Sequence, residues 1–329
     1  MHRHCSDPLR AGLTQIDTIV VTVLVILAAG LLLPGVQAAR TDAARMQCHE
    51  NLRRLGRGFH EFEQAHGGFP PRRTGFNSGT PYGGWGPFLL PYLDVPALAE
   101  QYNFKLDCFD PGNKAVVETS VSTFLCPASP PNRKVTIQAQ ATGKSENPDK
   151  DTVFTVHGGA NDYISCNTVL MPRGGYGLNA SVTDGMGGNQ RHALNDDTFL
   201  PLVKISDGLS CTLLIIEQAG RPEVWRGGKK QVGDGQFGVS ANARGMWAGW
   251  GSIGFGPAGP DGIASAKGDA TDCSVNCNNW FGIYGFHQEG ANVLLCDGSA
   301  RFVGTKLDPL TFAYLSVRDD GHLISDADF

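Results

Sequence analysis

The first long pattern in the chain is an apolar run that changes into an amphipathic stripe. Residues 13–33 form a run of 21 residues with one formal charge, Asp17. At 1.5 Å of rise per residue, this run predicts about 30 Å of helix, the thickness of a bilayer's hydrocarbon core. Beyond Arg40, apolar residues recur every three or four positions, as on one helix face. This stripe consists of Ala44, Cys48, Leu52, Leu55, Phe59 and Phe62. Gly67-Gly68 ends the pattern, so we predict one helix over residues 13–66 that is transmembrane in its first part.

Residues 67–329 carry short strand-like runs separated by glycine-rich turns, which are typical of antiparallel sheet. The runs that we predict as strands are Val116–Leu125, Thr152–Val156, Tyr163–Val169, Phe199–Val203 and Thr212–Glu217. Residues 138–151 are predicted as a polar surface loop, and Pro96–Tyr102 and Pro309–Val317 as short helices that begin at proline. The fold class predicted is therefore α+β: a long N-terminal helix carrying an antiparallel β-rich domain.

A hairpin is predicted over residues 292–303, near the C-terminus. Asp297-Gly298 lies between two strand-like runs, and this dipeptide is typical of a type I′ turn, in which both central residues have φ > 0. The alternation of side chains places Cys296 on the core face. His287 precedes Asp297 with nine residues between them. A metal ligand or general base at His287 would need a second ligand or a nucleophile at a recognisable spacing. Finding neither, we favour a structural role for His287, Asp297 and Gly298.

The N-terminal segment resembles that of type IV prepilins and type II secretion pseudopilins. A short basic leader, residues 1–12, ends in Gly12 and precedes an apolar helix with an acid at its fifth position, Asp17. The resemblance implies a pilin-like fold, cleavage between Gly12 and Leu13 by a prepilin peptidase, and methylation of the new N-terminus. It also implies that Asp17 pairs with the N-terminal ammonium of a neighbouring subunit, since a carboxylate in hydrocarbon normally finds a partner. The family usually has Phe and Glu where this chain has Leu13 and Asp17.

Motifs along nearly the whole chain also resemble a large bacterial family of prepilin-like proteins. Its main domain is of unknown function, and its C-terminal signature is His-x9-Asp-Gly. The matching segments are Leu33–Arg40, Arg45–Cys48, Asn51–Leu52, Leu89–Leu93, Phe124–Pro127, Ser206–Gly208 with Glu217, and Phe286–His287 with Asp297–Ser299. The family usually has Pro-Gly after this histidine, where the chain has Gln288-Glu289.

The chain has nine cysteines, an odd number, so at least one thiol is free or pairs between chains. Cys48 and Cys126 lie in motifs of the family that the chain resembles, and both are candidates for pairing. Cys273 and Cys277, with three residues between them, are candidates for a small local loop.

The orientation of the membrane segment follows from Arg3 and Arg10, which favour a cytoplasmic N-terminus and an exported body. The resemblance implies a single-pass protein of the bacterial inner membrane whose C-terminal domain is periplasmic or at the cell surface. An alternative is a secretory signal peptide cleaved after Val36-Gln37-Ala38. The internal Asp17 and the unbroken transition into the helical stripe favour the prepilin interpretation.

Composition and motifs narrow the functional classes. A net charge of −5 provides no electrostatic footprint for nucleic acid. The chain has no Gly-x-Ser-x-Gly, His-Glu-x-x-His or P-loop motif, so we predict that it is not an enzyme. The leading hypothesis is a structural subunit whose partners are other pilin-like subunits or copies of itself. The alternative is a membrane-tethered ligand- or glycan-binding module, which would use Trp247, Trp250 and Trp280 for stacking.

A calcium-binding loop is a further hypothesis, because hard cations prefer clustered carboxylates and carbonyls. The acids concerned are Asp261, Asp269 and Asp272, in a glycine-rich segment. Pseudopilins of the general-secretion type use such a site, but the chain has no EF-hand spacing here. Solvated loop acids are the favoured interpretation, and no other cofactor or metal is predicted.

Overall fold

A computed structural model describes residues 14–75, 79–140, 153–169, 191–231, 245–249, 252–255, 273–280, 282–322 and 324. Several positions discussed above lie outside these ranges. They are the leader with Gly12 and Leu13, residues 141–151 of the predicted loop, Trp250, and the acids Asp261, Asp269 and Asp272. The chain divides into two compact units, Met1–Ala43 and Ala44–Phe329.

The predicted long helix is present as α1, which runs over the 52 residues Gln15–His66 with Pro34 inside it. Its first turn carries a reciprocal cap. Asp17 Oδ2 accepts from Thr14 N at 3.0 Å and from Thr14 Oγ1 at 2.7 Å, while Asp17 N donates to Thr14 Oγ1 at 3.2 Å. This capping box satisfies two backbone donors that the start of a helix leaves without partners.

The first part of α1 exposes its large apolar side chains. Ile16 is 72% exposed and Leu32 66%, and the described apolar residues between them are about as open. Among the described residues, α1 is the helix whose length and composition suffice to cross a membrane. A signal sequence near an N-terminus meets the same criterion.

The unit Ala44–Phe329 is built on a five-stranded mixed sheet. In chain order the described strands are β1 (Arg73–Thr74), β2 (Gly83–Gly84), β3 (Lys134–Gln140), β4 (Val153–Gly159), β5 (Tyr163–Val169), β6 (Leu213–Glu217), β7 (Trp225–Arg226), β8 (Lys229–Lys230), β9 (Ser252–Phe255), β10 (Gly290–Leu295) and β11 (Ala300–Gly304). The central sheet has the order β11-β10-β6-β5-β9, antiparallel except for the parallel β5–β9 pair. The pairs β1–β2, β3–β4 and β7–β8 form small antiparallel sheets.

Helices cover both faces of the central sheet. After α1, the described α-helices are α2 (Gly86–Leu89), α3 (Pro96–Gln101), α4 (Lys114–Val117) and α5 (Pro309–Ser316). Successive residues of a strand point to opposite faces. Leu294 therefore joins the apolar cluster that includes Leu52 of α1, whereas Val293 joins the cluster that includes Phe312 of α5. The carboxylate of Asp308 caps α5 by accepting from Leu310 N and Thr311 N, each at 2.9 Å.

Three of the predicted elements differ in the structure. Val116–Leu125 is not a strand: α4 ends at Val117, and a 3-10 turn occupies Ser122–Phe124. Phe199–Val203 is not a strand either, since it contributes one isolated bridge at Leu200 and enters a 3-10 turn. The β-branched and aromatic side chains of the first segment reach the core through helical turns, because packing outweighs β-propensity. The predicted loop 138–151 begins later than expected, since β3 continues to Gln140.

The predicted hairpin is formed by β10 and β11, but its turn is not type I′. Gly298 has φ 84°, whereas Asp297 does not have a positive φ. Leu295 O accepts from Gly298 N at 3.0 Å, and Leu295 N donates to Ser299 O at 2.9 Å. This is a three-residue loop that ends in a left-handed glycine. The Asp297 carboxylate instead stabilises the loop by accepting from Ser299 N at 2.8 Å.

Candidate functional site

Glu217, the last residue of β6, lies on the sheet face that α1 covers. Residues two apart in a strand point to the same face, and Ile215 belongs to the same apolar cluster as the buried residues of α1. Tyr163 on β5 is its cross-strand neighbour. The Glu217 side chain is fully buried. Because a buried carboxylate costs free energy unless it is paired, its contacts matter for the fold and for any chemistry.

The two oxygens of the Glu217 carboxylate have different surroundings. Oε2 accepts from Asn292 N at 2.8 Å and from Asn292 Nδ2 at 3.1 Å. Oε1 lies 3.2 Å from His287 Nε2 and has no hydrogen-bond partner in the described part of the chain. A Cβ on Gly285 would lie 3.1 Å from Oε2, so a larger residue there would press on the carboxylate. Asn292 therefore fixes one oxygen, and the other faces His287.

His287 begins the tight turn that leads into β10. It forms an isolated bridge with Gly290, and the exposed Glu289 between them has φ 64°. The ring is buried, with Nε2 at 3.3 Å from the sulfur of Cys126 as well as 3.2 Å from Glu217 Oε1. Nδ1 has no hydrogen-bond partner among the described residues. Nε2 is thus the nitrogen that faces both the sulfur and the carboxylate.

Cys48 of α1 is joined to Cys126 by a disulfide, and hydrogen bonds hold the Cys126 segment on both sides. Asn51, one turn along α1, donates from Nδ2 to Leu125 O at 2.8 Å. Cys126 N donates to Asp162 Oδ2 at 2.9 Å, and the same oxygen accepts from Arg133 Nη2 at 2.6 Å. The segment that carries Cys126 is therefore held both to α1 and to the start of β5.

Cys48, Cys126, Glu217 and His287 form one buried group, which we name the Cys-Cys-Glu-His cluster. One sulfur, nitrogen or oxygen atom from each residue lies within 4.8 Å of the others. The sequence patterns singled out His287 and both cysteines but did not bring them together, because Cys126 and His287 are 161 positions apart. Glu217 was noted in a motif and not as a site residue.

Asp297 and Gly298 lie at the other end of the His-x9-Asp-Gly signature and outside this cluster. A Cβ on Gly298 would lie 3.2 Å from His60 Cδ2 of α1. His49 Nε2, also on α1, is 3.0 Å from the carbonyl oxygen of Ala300, to which it donates. The Asp-Gly end of the signature therefore packs the hairpin onto α1, while the histidine end belongs to the cluster.

The other cysteines in the described part of the chain are of two kinds. Cys273 and Cys277 form a local disulfide. The free thiols among the described residues are Cys108, Cys166, Cys211 and Cys296. Burial raises the pKa of Cys166 to about 12, and it raises the pKa values of Cys108 and Cys296 as well. Such buried thiols are poor nucleophiles because little thiolate forms at neutral pH.

Of the three tryptophans named for a glycan surface, Trp247 and Trp280 lie in the described part of the chain. Trp247 is fully buried and stacks on Phe124 with ring centroids 5.8 Å apart. Trp280 is half-buried, and the guanidinium of Arg221 lies 5.6 Å from its ring centroid. Trp247 is therefore part of the core.

The structure defines an α+β protein that combines a long N-terminal helix with a mixed sheet and a buried Cys-Cys-Glu-His cluster. The chain belongs to the family described as "Protein of unknown function (DUF1559)", which matches residues 37–310. No curated protein and no solved structure matches the chain. The matched range contains all four residues of the cluster, whereas the apolar run of α1 lies before it.

Proposed function

We propose that the chain is a pilin-like structural subunit, anchored in a bacterial inner membrane by the first part of α1. In this proposal a prepilin peptidase cleaves after Gly12, and Leu13 becomes the methylated N-terminus. The observation that carries the proposal is the continuity of α1 through 52 residues. Its first part exposes apolar side chains, whereas Leu52, Leu55 and Phe59 of its later stripe are fully buried in the body.

Several contacts couple the later part of α1 to the body, as a subunit assembled through its helix requires. The Cys48–Cys126 disulfide is a covalent link, and Asn51 and His49 add hydrogen bonds to two separate segments. A signal peptide would be removed within the same helix after Ala38. The helix continues through Pro34 and Ala38 without a break, which supports an anchor that is kept.

Asp17 has two roles in the proposal. In the single chain it completes the capping box with Thr14 at the start of α1. In the assembly its carboxylate pairs with the N-terminal ammonium of a neighbouring subunit, which offsets the cost of a charge in hydrocarbon. The two roles are separable, because Thr14 shares only the first.

The first test is the intact mass of the full chain extracted from bacterial membranes. The expected mass lacks residues 1–12 and carries one additional methyl group. Gly12→Leu is the control, and it should leave the uncleaved precursor. An N-terminus at Ala39 would contradict the proposal, since it would mean a cleaved signal peptide and a body released from the membrane.

The second test compares Asp17→Asn with the matched cap variant Thr14→Val. Thr14→Val removes the capping hydroxyl and keeps the charge of Asp17, whereas Asp17→Asn removes the charge and keeps an amide oxygen that can accept from Thr14 N. Cross-linking in membranes should yield shorter ladders of subunits for Asp17→Asn and unchanged ladders for Thr14→Val, with equal insertion of both. Ladders that respond equally to both variants would reduce Asp17 to a helix cap and remove its role in assembly.

A further inference from the structure

The surroundings of the Cys48–Cys126 disulfide are more polar than a covalent cross-link requires. His287 Nε2 lies 3.3 Å from the Cys126 sulfur and 3.2 Å from Oε1 of the Glu217 carboxylate. Replacing a buried charged or polar pair by apolar residues is often neutral or stabilising. If the disulfide only held α1 to the sheet, an apolar pocket around it would therefore be equally stable or more stable. The polar pair points to a ligand that the two sulfurs share with it.

We propose that the Cys-Cys-Glu-His cluster binds Zn²⁺ when Cys48 and Cys126 are thiols. Two thiolate sulfurs, an imidazole nitrogen and a carboxylate oxygen form a four-coordinate donor set typical of zinc. Calcium and magnesium prefer sites built from oxygen alone, so thiolates argue against both ions. The proposal does not depend on the pilin-like function, because it concerns only the body of the protein.

The distances around His287 are close to those of tetrahedral coordination. Zinc bonds of about 2.0–2.3 Å place neighbouring ligand atoms about 3.3–3.8 Å apart. The Nε2 atom of His287 lies 3.3 Å from the Cys126 sulfur and 3.2 Å from Glu217 Oε1. One donor atom from each of the four residues lies within 4.8 Å of the others. The change needed is that the two sulfurs separate when the bond between them is absent.

The groups behind the donors would orient them for the metal. Asn292 holds Oε2 of Glu217 through two hydrogen bonds and leaves Oε1 as the coordinating oxygen. Asp162 holds the backbone of Cys126. Such outer partners orient metal ligands and strengthen binding. With Nε2 bound to zinc, the ring hydrogen resides on Nδ1. All four ligands are buried, which is typical of a closed structural site.

The chemistry balances without a reductant, because the newly synthesised chain carries thiols. Binding of Zn²⁺ by Cys48 and Cys126 releases the two thiol protons. When a disulfide-type oxidant later takes two electrons from the two thiolates, the sulfur–sulfur bond forms and Zn²⁺ leaves. The oxidant's own disulfide breaks, and it takes up two protons from water to become a dithiol. A dithiol reductant reverses this step. The zinc and disulfide forms are thus alternative links between α1 and the body.

The test uses the full chain synthesised in a cell-free reaction with detergent and a phosphine reductant. The background carries Cys273→Ser and Cys277→Ser, so that the local pair cannot bind metal. Cobalt(II) is the probe. We expect one ion per chain, a thiolate-to-cobalt charge-transfer band and the d–d bands of tetrahedral coordination, all lost on addition of Zn²⁺.

Glu217→Gln and His287→Gln should each weaken cobalt binding more than tenfold, since loss of an outer partner alone costs about 10–100-fold. Glu223→Gln is the matched control and should bind as the background does.

Thermal melting of the unsubstituted chain provides a second readout that needs no variant to fold. Zn²⁺ should raise the melting temperature of the reduced chain and leave that of the disulfide form unchanged. Absence of the cobalt bands in folded, reduced protein would overturn the proposal. The proposal would also be overturned if Glu217→Gln and His287→Gln bound cobalt as the background does, or if Zn²⁺ shifted both redox forms equally or neither.

Discussion

Gly56 of α1 and Gly298 of the hairpin turn are in backbone contact. A Cβ added to Gly56 would lie 3.1 Å from both the Cα and the carbonyl oxygen of Gly298. Gly298 also has φ 84°, a conformation that residues with a side chain rarely adopt. The Asp-Gly dipeptide of the signature is therefore the point at which the β10–β11 hairpin rests on α1.

This contact predicts different effects for the same substitution at two neighbouring helix positions. Gly58→Ala should stabilise the protein by about 0.5–1 kcal/mol, because alanine is the better helix former and its Cβ would meet Leu93 at an ordinary 3.5 Å. Gly56→Ala should not stabilise the protein and should lower its stability if the backbone cannot shift, because its Cβ would press on the backbone of Gly298. The measurement is urea unfolding of the full chain in detergent, followed by the fluorescence of the buried Trp85 and Trp247. Equal stabilisation by both substitutions would show that the hairpin is not held tightly on α1.

The turn after His287 predicts a stabilising substitution. Glu289 is exposed and has φ 64°, which costs a residue with a Cβ about 1–2 kcal/mol relative to the right-handed region. Glu289→Gly should relieve this cost and raise stability by about 1 kcal/mol after the greater chain entropy of glycine is subtracted. Glu289→Gln is the control, because it removes the charge and keeps the strain, and it should leave stability near that of the natural chain. A glycine variant that is no more stable than the glutamine variant would contradict this explanation.

The two disulfides should contribute unequally to stability. Cys48 and Cys126 are 78 positions apart, and in the chain-entropy estimate such a loop contributes about 4.5 kcal/mol. Cys273 and Cys277 are 4 positions apart, and the same estimate is roughly 2 kcal/mol. Replacing each pair by serines in the oxidised protein and comparing urea midpoints tests this order. The expected loss is about twice as large for Cys48 and Cys126, and a larger loss for the local pair would contradict the estimate.

His192 predicts a loss of stability in mild acid. The ring is buried and its Nδ1–H donates to Ser316 O at 2.5 Å. Burial, reinforced by the nearby charge of Arg72, lowers the pKa of His192 from 6.5 to about 4. In the unfolded chain, His192 therefore binds a proton below about pH 6.5, whereas in the folded chain it does so only near pH 4.

The free energy of unfolding that depends on neutral His192 is fully present above about pH 6.5. It falls by up to roughly 3 kcal/mol as the pH is lowered to about 4. His192→Asn should flatten this part of the curve, because an asparagine amide can donate to the same carbonyl without titrating. The free energy of unfolding, measured from pH 7.5 to pH 4, checks the difference in slope. Curves of equal slope for both proteins would exclude His192 as the source of the acid sensitivity.

Local sequence patterns were sufficient to predict those helices and strands whose apolar residues recur at the spacing typical of a helix or a strand. The 3.6-residue stripe predicted α1, and the structure ends it at His66 as expected. The alternating or continuous apolar runs predicted β5 and β6, and the proline start predicted α5. The Asp-Gly dipeptide predicted the hairpin, since a glycine able to adopt positive φ is a local requirement. These features depend on residues that are neighbours in sequence.

Tertiary packing decided the rest. Val116–Leu125 has the composition of a strand but forms helical turns, because its apolar residues fill the space beside α1. Asp297 does not adopt a positive φ, because the three-residue loop requires the left-handed conformation only at Gly298. The Cys-Cys-Glu-His cluster draws on a helix, a loop, a strand end and a turn that are far apart in the chain. Local periodicity cannot predict that these four residues come together. They do so only because the register of β5, β6 and β10 points Glu217 towards α1, the helix that carries Cys48.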